Sequence, residues 1–223
     1  MFLHIGRPKR LSELGVTVPD VGELKRRFDI AVLDDEPFVR AQPLRNHGFR
    51  ITELGGDIKT VDQVAAYPIV ICDIRGVGSA FGSRYEGAHV LSEIRKAYPD
   101  KYLIAFTGMT YDASYNEKLT SADKSTTKDA SIDLWTQLLE SGLRSVGDPR
   151  ERWVRLRATL LSRGVDLYDV LQLEQAFIKS VLDRSAKTFA SKARELPFNN
   201  ESMDLILKFS AAALVQIIEN IVK

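Results

Sequence analysis

The sequence predicts an α/β protein, with a doubly wound, five-stranded parallel sheet over residues 29–146 and an all-α module over residues 147–223. Two observations predict the sheet: short apolar runs alternate with segments of helical length, and several of these runs end in a polar residue. A third observation separates the module, because no strand pattern follows the glycine and proline of residues 147–149. Residues 1–28 are expected to form a loosely organised leader.

The strands are predicted, in order along the chain, at residues 30–33, 50–54, 69–72, 102–106 and 125–127. Pro37 is favoured at a first helical position, so a helix is expected directly after the first strand. Further helices are predicted at residues 21–28, 60–66, 88–98, 113–118, 133–141, 151–162, 167–183, 186–195 and 201–223. Right-handed crossovers between parallel strands bring all carboxyl ends to one edge of the sheet, where such sheets bind ligands.

Composition limits the classes of function. The chain has 31 basic and 30 acidic residues, and a net charge of +1 requires neither a nucleic acid nor an anionic membrane as partner. Cys72 is the one cysteine, which excludes an intramolecular disulfide and is typical of the reducing cytoplasm, where we expect the protein. His4, His47 and His89 are too few for a histidine metal cluster. Charges interrupt every apolar stretch, so neither a signal peptide nor a membrane span is expected.

Polar residues end four of the predicted strands. Asp34 and Asp35 follow the first, Asp73 the third, Thr107 the fourth and Lys128 the fifth. Because these ends share one edge, we expect their side chains to form one pocket. Crowded carboxylates raise one another's pKa, and Mg²⁺, which prefers oxygen ligands, would relieve the repulsion. A carboxylate can also accept a phosphoryl group, whose charge a metal, a lysine and a hydroxyl would offset.

Four motifs within residues 29–143 resemble the receiver domain of two-component response regulators. They are Ile-Ala-Val-Leu-Asp-Asp-Glu-Pro at 30–37, Ile-Val-Ile-Cys-Asp-Ile-Arg-Gly at 69–76, Leu-Ile-Ala-Phe-Thr-Gly at 103–108 and Ser-Ala-Asp-Lys-Ser-Thr-Thr-Lys at 121–128. In the family these segments hold the acidic pair, the phosphoacceptor, the switch hydroxyl and a lysine. The ordered set is far more specific than any single motif.

The resemblance implies a receiver or flavodoxin-like fold and a role for each matching residue. Asp73 would accept the phosphoryl group, and Thr107 and Lys128 would contact its oxygens. The implied Mg²⁺ ligands are the carboxylates of Asp34, Asp35 and Asp73 and the backbone carbonyl of Arg75. A histidine kinase or phosphotransfer protein would be the phosphodonor. The chain would then be a signalling switch, with at most self-phosphorylation and autodephosphorylation, rather than a metabolic enzyme.

The sequence also departs from the family pattern. Asp129 stands where proline usually follows the lysine, Ser125 replaces the aromatic switch residue, and the loop at 75–84 is longer and lacks a Met-Pro pair. Lys124, one helical turn before Lys128, is a rival for the role of the lysine. A phosphate-independent scaffold is therefore the alternative. A Mg²⁺-dependent phosphohydrolase or nucleotide-binding enzyme, based on the acidic edge and the glycine-rich loop, is a third hypothesis.

The C-terminal module has no histidine, which excludes a histidine phosphotransfer domain of the usual kind. Apolar residues lie among the arginines at the domain boundary, which favours a solvated helix face over a nucleic-acid patch. These arginines are Arg144, Arg150, Arg152, Arg155, Arg157 and Arg163. The last predicted helix has a broad apolar side that includes Leu207 and Ala211 and is widened by Ile206, Phe209 and Ala213. This side must be buried within the chain or in a homodimer.

Overall fold

The computed structural model describes residues 7–108 and 119–220, so the helix predicted at 113–118 lies outside the described residues. A five-stranded, all-parallel sheet has the order β2-β1-β3-β4-β5. The strands are β1 Asp29–Leu33, β2 Arg50–Glu53, β3 Ile69–Asp73, β4 Tyr102–Thr107 and β5 Lys124–Thr127. All five predicted strands are present, and their ends differ from the predictions by at most one residue. This order is doubly wound, so the predicted fold class is confirmed.

The central strands are apolar because both faces of the sheet are covered. Every residue of β3 and β4 is buried, as is typical of parallel strands between two helical layers. Successive side chains alternate between the faces: Ile30 and Val32 pack into one hydrophobic cluster, and Ala31 and Leu33 into the other.

The helices of the sheet domain are α1 Val21–Arg27, α2 Ala41–Asn46, α3 Glu86–Ala97 and α4 Ile132–Gly147. Two predicted helices differ from the structure. The helix after β1 begins at Ala41 instead of Pro37. A helix begun at Pro37 would hold Pro43 in its interior, where proline lacks an N–H and clashes with the preceding turn, whereas the first turn tolerates it. The segment predicted as a helix at 60–66 forms the short 3₁₀ helix Val61–Val64.

The described residues divide into two compact units. We call Val18–Arg152 the sheet unit, and the described residues up to Thr17 and from Trp153 onward the helical unit. Within the described residues, no helix is both long and apolar enough to cross a bilayer.

The limits of the sheet unit differ from the expected boundaries after residues 28 and 146. Leu24 on α1 is buried in the core of the sheet unit, and Leu14 is buried in the core of the helical unit. These two residues are therefore packed rather than loosely organised. Arg152, which we expected on a solvated helix face, is almost fully buried, and its Nη2 donates to Asp100 Oδ2 at 2.6 Å. Both residues of this buried ion pair lie within the sheet unit.

The helical unit is built around aromatic rings. Its helices are α5 Pro149–Ser162, which begins in the sheet unit, α6 Leu167–Leu182, α7 Lys187–Glu195, α8 Asn200–Phe209 and α9 Val215–Asn220, with a π-helical turn at Ser210–Leu214. The ring of Trp153 stacks on Phe177 with centroids 5.0 Å apart and meets Phe189 edge-on at 6.1 Å. The buried carboxylate of Glu174 accepts hydrogen bonds from Trp153 Nε1 at 2.6 Å and from Arg157 Nη1 at 3.0 Å.

The final helical segment buries one part of its predicted apolar side and leaves another part exposed. Leu207 and Ala211 are exposed, while Ile206, Phe209 and Ala213 pack into the core of the helical unit. The predicted apolar side is broader than the packed one, so the spacing of its residues could not identify which part is buried.

Candidate functional site

Three aspartates meet at the carboxyl edge of the sheet. Leu33 and Cys72 are register partners on β1 and β3, so Asp34 and Asp73 follow them side by side. Both aspartates are buried, while Asp35 is exposed. One carboxylate oxygen from each of the three lies within 4.8 Å of the other two. The structure thus brings together the three predicted carboxylates.

Lys128 is the cation of this cluster. Its Nζ lies 2.6 Å from Asp73 Oδ2, 3.5 Å from Asp34 Oδ1 and 3.6 Å from Glu36 Oε2. The ammonium therefore bridges the two buried carboxylates.

The edge strand β5 determines which lysine reaches the site. Lys124 begins β5 and is exposed, whereas Lys128 directly follows the strand. The backbone N–H of Lys128 donates to the carbonyl oxygen of Thr107 at 2.9 Å, which ties it to the end of β4. Of the two candidates, the structure places Lys128 against Asp73.

Burial and neighbouring charges have opposite effects on the pKa values of Asp34 and Lys128. Burial raises the pKa of the Asp34 carboxyl above its usual value, against the opposing effects of the Glu36 N–H and of Lys128. For Lys128, burial lowers the pKa, but the hydrogen bond and charge of Asp73, together with the charge of Asp34, outweigh it and raise the pKa above its usual value. Lys128 is therefore charged at neutral pH, and its single positive charge faces two buried carboxyl groups, so the cluster still favours a second cation.

Backbone contacts place Thr107 and Arg75 next to Asp73. Thr107 is the buried last residue of β4, and its neighbour Phe106 is the register partner of Asp73. The backbone N–H of Arg75 donates to Asp73 Oδ1 at 3.1 Å. All the predicted site residues are thus at one edge of the sheet.

The loop after β3 packs closely on the acidic residues. Gly76 has a φ of 69°, and a Cβ at this position would overlap the Asp35 carboxylate. A Cβ at Gly87, in the first turn of α3, would overlap the backbone carbonyl oxygen of Asp73. In a dinucleotide-binding loop, glycines allow phosphates to approach the backbone. At Gly76 that space is instead occupied by the Asp35 carboxylate, and this argues against the nucleotide-binding hypothesis.

An aromatic cluster lies against the site. The rings of Phe38, Phe106 and Trp135 have centroids 5.3–5.8 Å apart, and Lys128 Nζ lies 5.6 Å from the Phe106 centroid. Ser125 is exposed on β5, so the family's aromatic switch position carries a small polar side chain in this chain.

Sequence reasoning missed two contributors to the site. Glu36 lies near Lys128, and its place directly after the acidic pair was a usable signal. Glu86 Oε2 accepts a hydrogen bond from the Gly76 N–H at 2.9 Å. No spacing or composition rule singles out Glu86, because its contact depends on the path of the intervening loop.

The donor set fits Mg²⁺. Three carboxylates can each supply one oxygen to the same position, and hard oxygen ligands are those that Mg²⁺ prefers. Asp34, Asp35 and Asp73 would hold the ion, joined by the backbone carbonyl of Arg75. The bound ion would supply positive charge that screens the carboxylates and an incoming phosphoryl group.

Neither a protein-family model nor a curated protein matches the chain. Among solved structures it is similar to the signal receiver domain of an HD domain-containing protein from Pseudomonas fluorescens, with 18% identity over 53% of this chain and 88% of that chain and a TM-score of 0.43. It is also similar to the BeF3-activated DrrB receiver domain, with 20% identity over 52% and 97% and a TM-score of 0.42. Full-length FixJ from B. japonicum matches with 18% identity over 87% and 97% and a TM-score of 0.43. The sheet order and the acidic edge described above confirm that the chain resembles response regulator receiver domains in its fold.

Proposed function

We propose that the chain is a response-regulator-like signalling protein that is phosphorylated on Asp73 in a Mg²⁺-dependent acidic pocket. One observation carries the proposal: the buried Asp73 carboxylate is ion-paired with Lys128 at 2.6 Å and lies within ligand distance of Asp34 and Asp35. Burying several like charges together is costly. Phosphoryl transfer to Asp73 would use this arrangement, because the lysine and a bound cation together offset the charges of the carboxylates and of the phosphoryl group.

The site residues have defined tasks in this reaction. The Arg75 N–H and Lys128 hold the two oxygens of Asp73 and so orient the carboxylate. An Asp73 oxygen attacks phosphorus, the bond from phosphorus to the donor breaks, and the donor leaves with the electron pair, giving an acyl phosphate. Lys128 offsets the charge of the bound phosphoryl group, and the Thr107 hydroxyl would contact it. The donor is the phosphohistidine of a kinase or phosphotransfer protein.

Intact-mass spectrometry after treatment with acetyl phosphate and Mg²⁺ tests this proposal. The native chain is expected to gain one phosphoryl group, and the variant Asp73→Ala none, because the attacking oxygen is gone. Asp129→Ala removes an exposed aspartate close in sequence and is the matched control, expected to label like the native chain. Labelling of Asp73→Ala, or no labelling of the native chain by acetyl phosphate or phosphoramidate, would contradict the proposal.

A phosphate-independent scaffold is the second candidate function. Ser125 favours the scaffold, because it replaces the aromatic switch residue with a small polar side chain at an exposed position of β5. No ring at this position can respond to phosphorylation of Asp73. In a scaffold, the affinity for a binding partner would be the same for the native chain, its phosphorylated form and Asp73→Asn. A change of affinity on phosphorylation would exclude the scaffold.

We further propose that the helical unit is the output or oligomerisation module and forms a homodimer. The first turns of α6 expose Leu167, Tyr168 and Leu171, with 57%, 70% and 44% of their surfaces accessible. Burying such a patch is a driving force for association. Light scattering is expected to give a dimer for the native chain and a monomer for Leu171→Lys. Leu207→Lys, which changes an exposed leucine on α8, should remain dimeric. A native chain that stays monomeric at high concentration would refute the dimer.

A further inference from the structure

Glu86 connects the first turn of α3 to the loop that follows Asp73. Its φ of 46° lies in the left-handed region, which a residue with a side chain adopts at a cost in free energy. The next residue, Gly87, packs so closely on the backbone of Asp73 that no Cβ would fit. The strained residue therefore lies where the helix comes closest to the strand that carries Asp73.

The Glu86 carboxylate controls the direction of one peptide group. It accepts a hydrogen bond from the Gly76 N–H at 2.9 Å, and that N–H shares a peptide unit with the carbonyl of Arg75. In a trans peptide, the form of all described peptide bonds, the N–H and C=O point in opposite directions. Holding the N–H towards Glu86 thus holds the Arg75 carbonyl pointing away from Glu86.

The two residues that this peptide group joins both contact the acidic cluster. The Arg75 N–H donates to Asp73 Oδ1 at 3.1 Å, and Gly76 packs on the carboxylate of Asp35 so closely that a Cβ would overlap it. Two carboxylates of the proposed cation site therefore flank the peptide.

A second contact anchors the loop through the backbone alone. The Gly78 N–H donates to the carbonyl oxygen of Gly56 at 2.9 Å, and Gly56 itself packs against Asp35. The loop is thus fixed beyond Gly76 without a side chain. The Gly76 N–H, in contrast, is held by a side chain, the Glu86 carboxylate.

We infer that Glu86 is a positioning residue of the cation site, because its hydrogen bond to Gly76 fixes the peptide group whose carbonyl, that of Arg75, would join the three aspartates around a divalent cation. The inference rests on the proposed function, which places a cation there. The competing explanation is that Glu86 is an ordinary acidic residue that interacts favourably with the N-terminal dipole of α3. That role depends on the charge of the side chain, whereas positioning depends on its length and on an oxygen acceptor.

Two substitutions separate the effect of the Glu86 charge from the effect of its side-chain length. Glu86→Gln keeps the length and the acceptor but loses the charge, and Glu86→Asp keeps the charge but is one methylene shorter. Glu93→Gln is the matched control, because it removes the same charge from the same helix at a residue that pairs with exposed Lys96. Binding of Mn²⁺ to the full chain is measured from the electron paramagnetic resonance signal of the free ion. Glu86→Asp is expected to weaken binding about tenfold, and Glu86→Gln and Glu93→Gln by less than about twofold.

Hydrogen exchange of the Gly76 amide in the metal-free chain gives an independent readout. This amide is expected to exchange slowly in the native chain and in Glu86→Gln and quickly in Glu86→Asp, while amides of β3 and β4 stay protected in all three. Tight Mn²⁺ binding by Glu86→Asp with weak binding by Glu86→Gln would overturn the inference in favour of a charge effect. If the native chain binds Mn²⁺ and all variants match it, the inference alone fails. If the native chain binds no Mn²⁺, both the inference and the proposed cation site fail.

Discussion

Removing either partner of the Asp100–Arg152 ion pair is expected to lower the free energy of unfolding by about 3–5 kcal/mol, because the remaining charge stays buried without its counter-ion. Both side chains are almost fully buried, and Asp100 Oδ2 accepts from Arg152 Nη2 at 2.6 Å and from Nε at 3.0 Å. The variants Asp100→Asn and Arg152→Met would be compared with the native chain by urea denaturation followed by circular dichroism.

Arg150 provides the matched control for this ion pair. It lies two residues before Arg152 and pairs with Asp148 in a partly exposed contact, and exposed ion pairs contribute at most about 1 kcal/mol. Arg150→Met should therefore cost far less than Arg152→Met. The double variant at Asp100 and Arg152 should cost less than the sum of the single changes, because neither member of the pair is left buried without the other. Equal losses for Arg150→Met and Arg152→Met would show that the buried pair has no special contribution.

The strands and the acidic edge were predictable because they depend on short-range patterns. A buried parallel strand is a continuous apolar run, and the residue that ends it lies at the common edge of the sheet. The strand pattern alone therefore predicts that Asp34, Asp73 and Lys128 lie together, and the distances between their side chains confirm it. The start of α2 was also within reach, since Pro43 already excluded a helix beginning at Pro37.

Buried charges were not predictable, because their partners are remote in sequence. Lysine and arginine are mostly exposed in proteins, so a hydrophobicity pattern predicts that they lie at the surface. Arg152 is buried through a contact with Asp100, 52 positions away. Lys101 is buried because its Nζ donates to the carbonyl oxygens of Ala65 and Tyr67, both at 2.8 Å, and burial lowers its pKa to about 7. The hydrogen bond from Gly76 to Glu86 was hidden for a related reason, since it depends on the path of an irregular loop.

Replacing Lys128 with methionine is expected to lower the free energy of unfolding by about 2 kcal/mol at neutral pH without divalent cations. The change leaves Asp34 and Asp73 buried without the ammonium that lies 3.5 Å and 2.6 Å from them. The loss is smaller than the roughly 3–5 kcal/mol for a fully buried pair, because 32% of the Lys128 side chain is exposed and solvent screens the interaction. Lys124→Met removes the same charge from an exposed position four residues earlier and should cost far less.

The response of Lys128→Met to Mg²⁺ and to pH connects its stability to the proposed site. Mg²⁺ should stabilise this variant more than the native chain, because the ion binds the folded cluster and replaces the missing positive charge. Lowering the pH should also reduce the loss. Burial already raises the pKa of Asp34 in the native fold, so the folded state binds a proton more readily than the unfolded state, and stability falls as pH rises through that range. A loss that neither Mg²⁺ nor acid reduces would mean that Lys128 stabilises the fold by packing rather than by neutralising carboxylates, and it would remove the electrostatic basis for a cation at this edge.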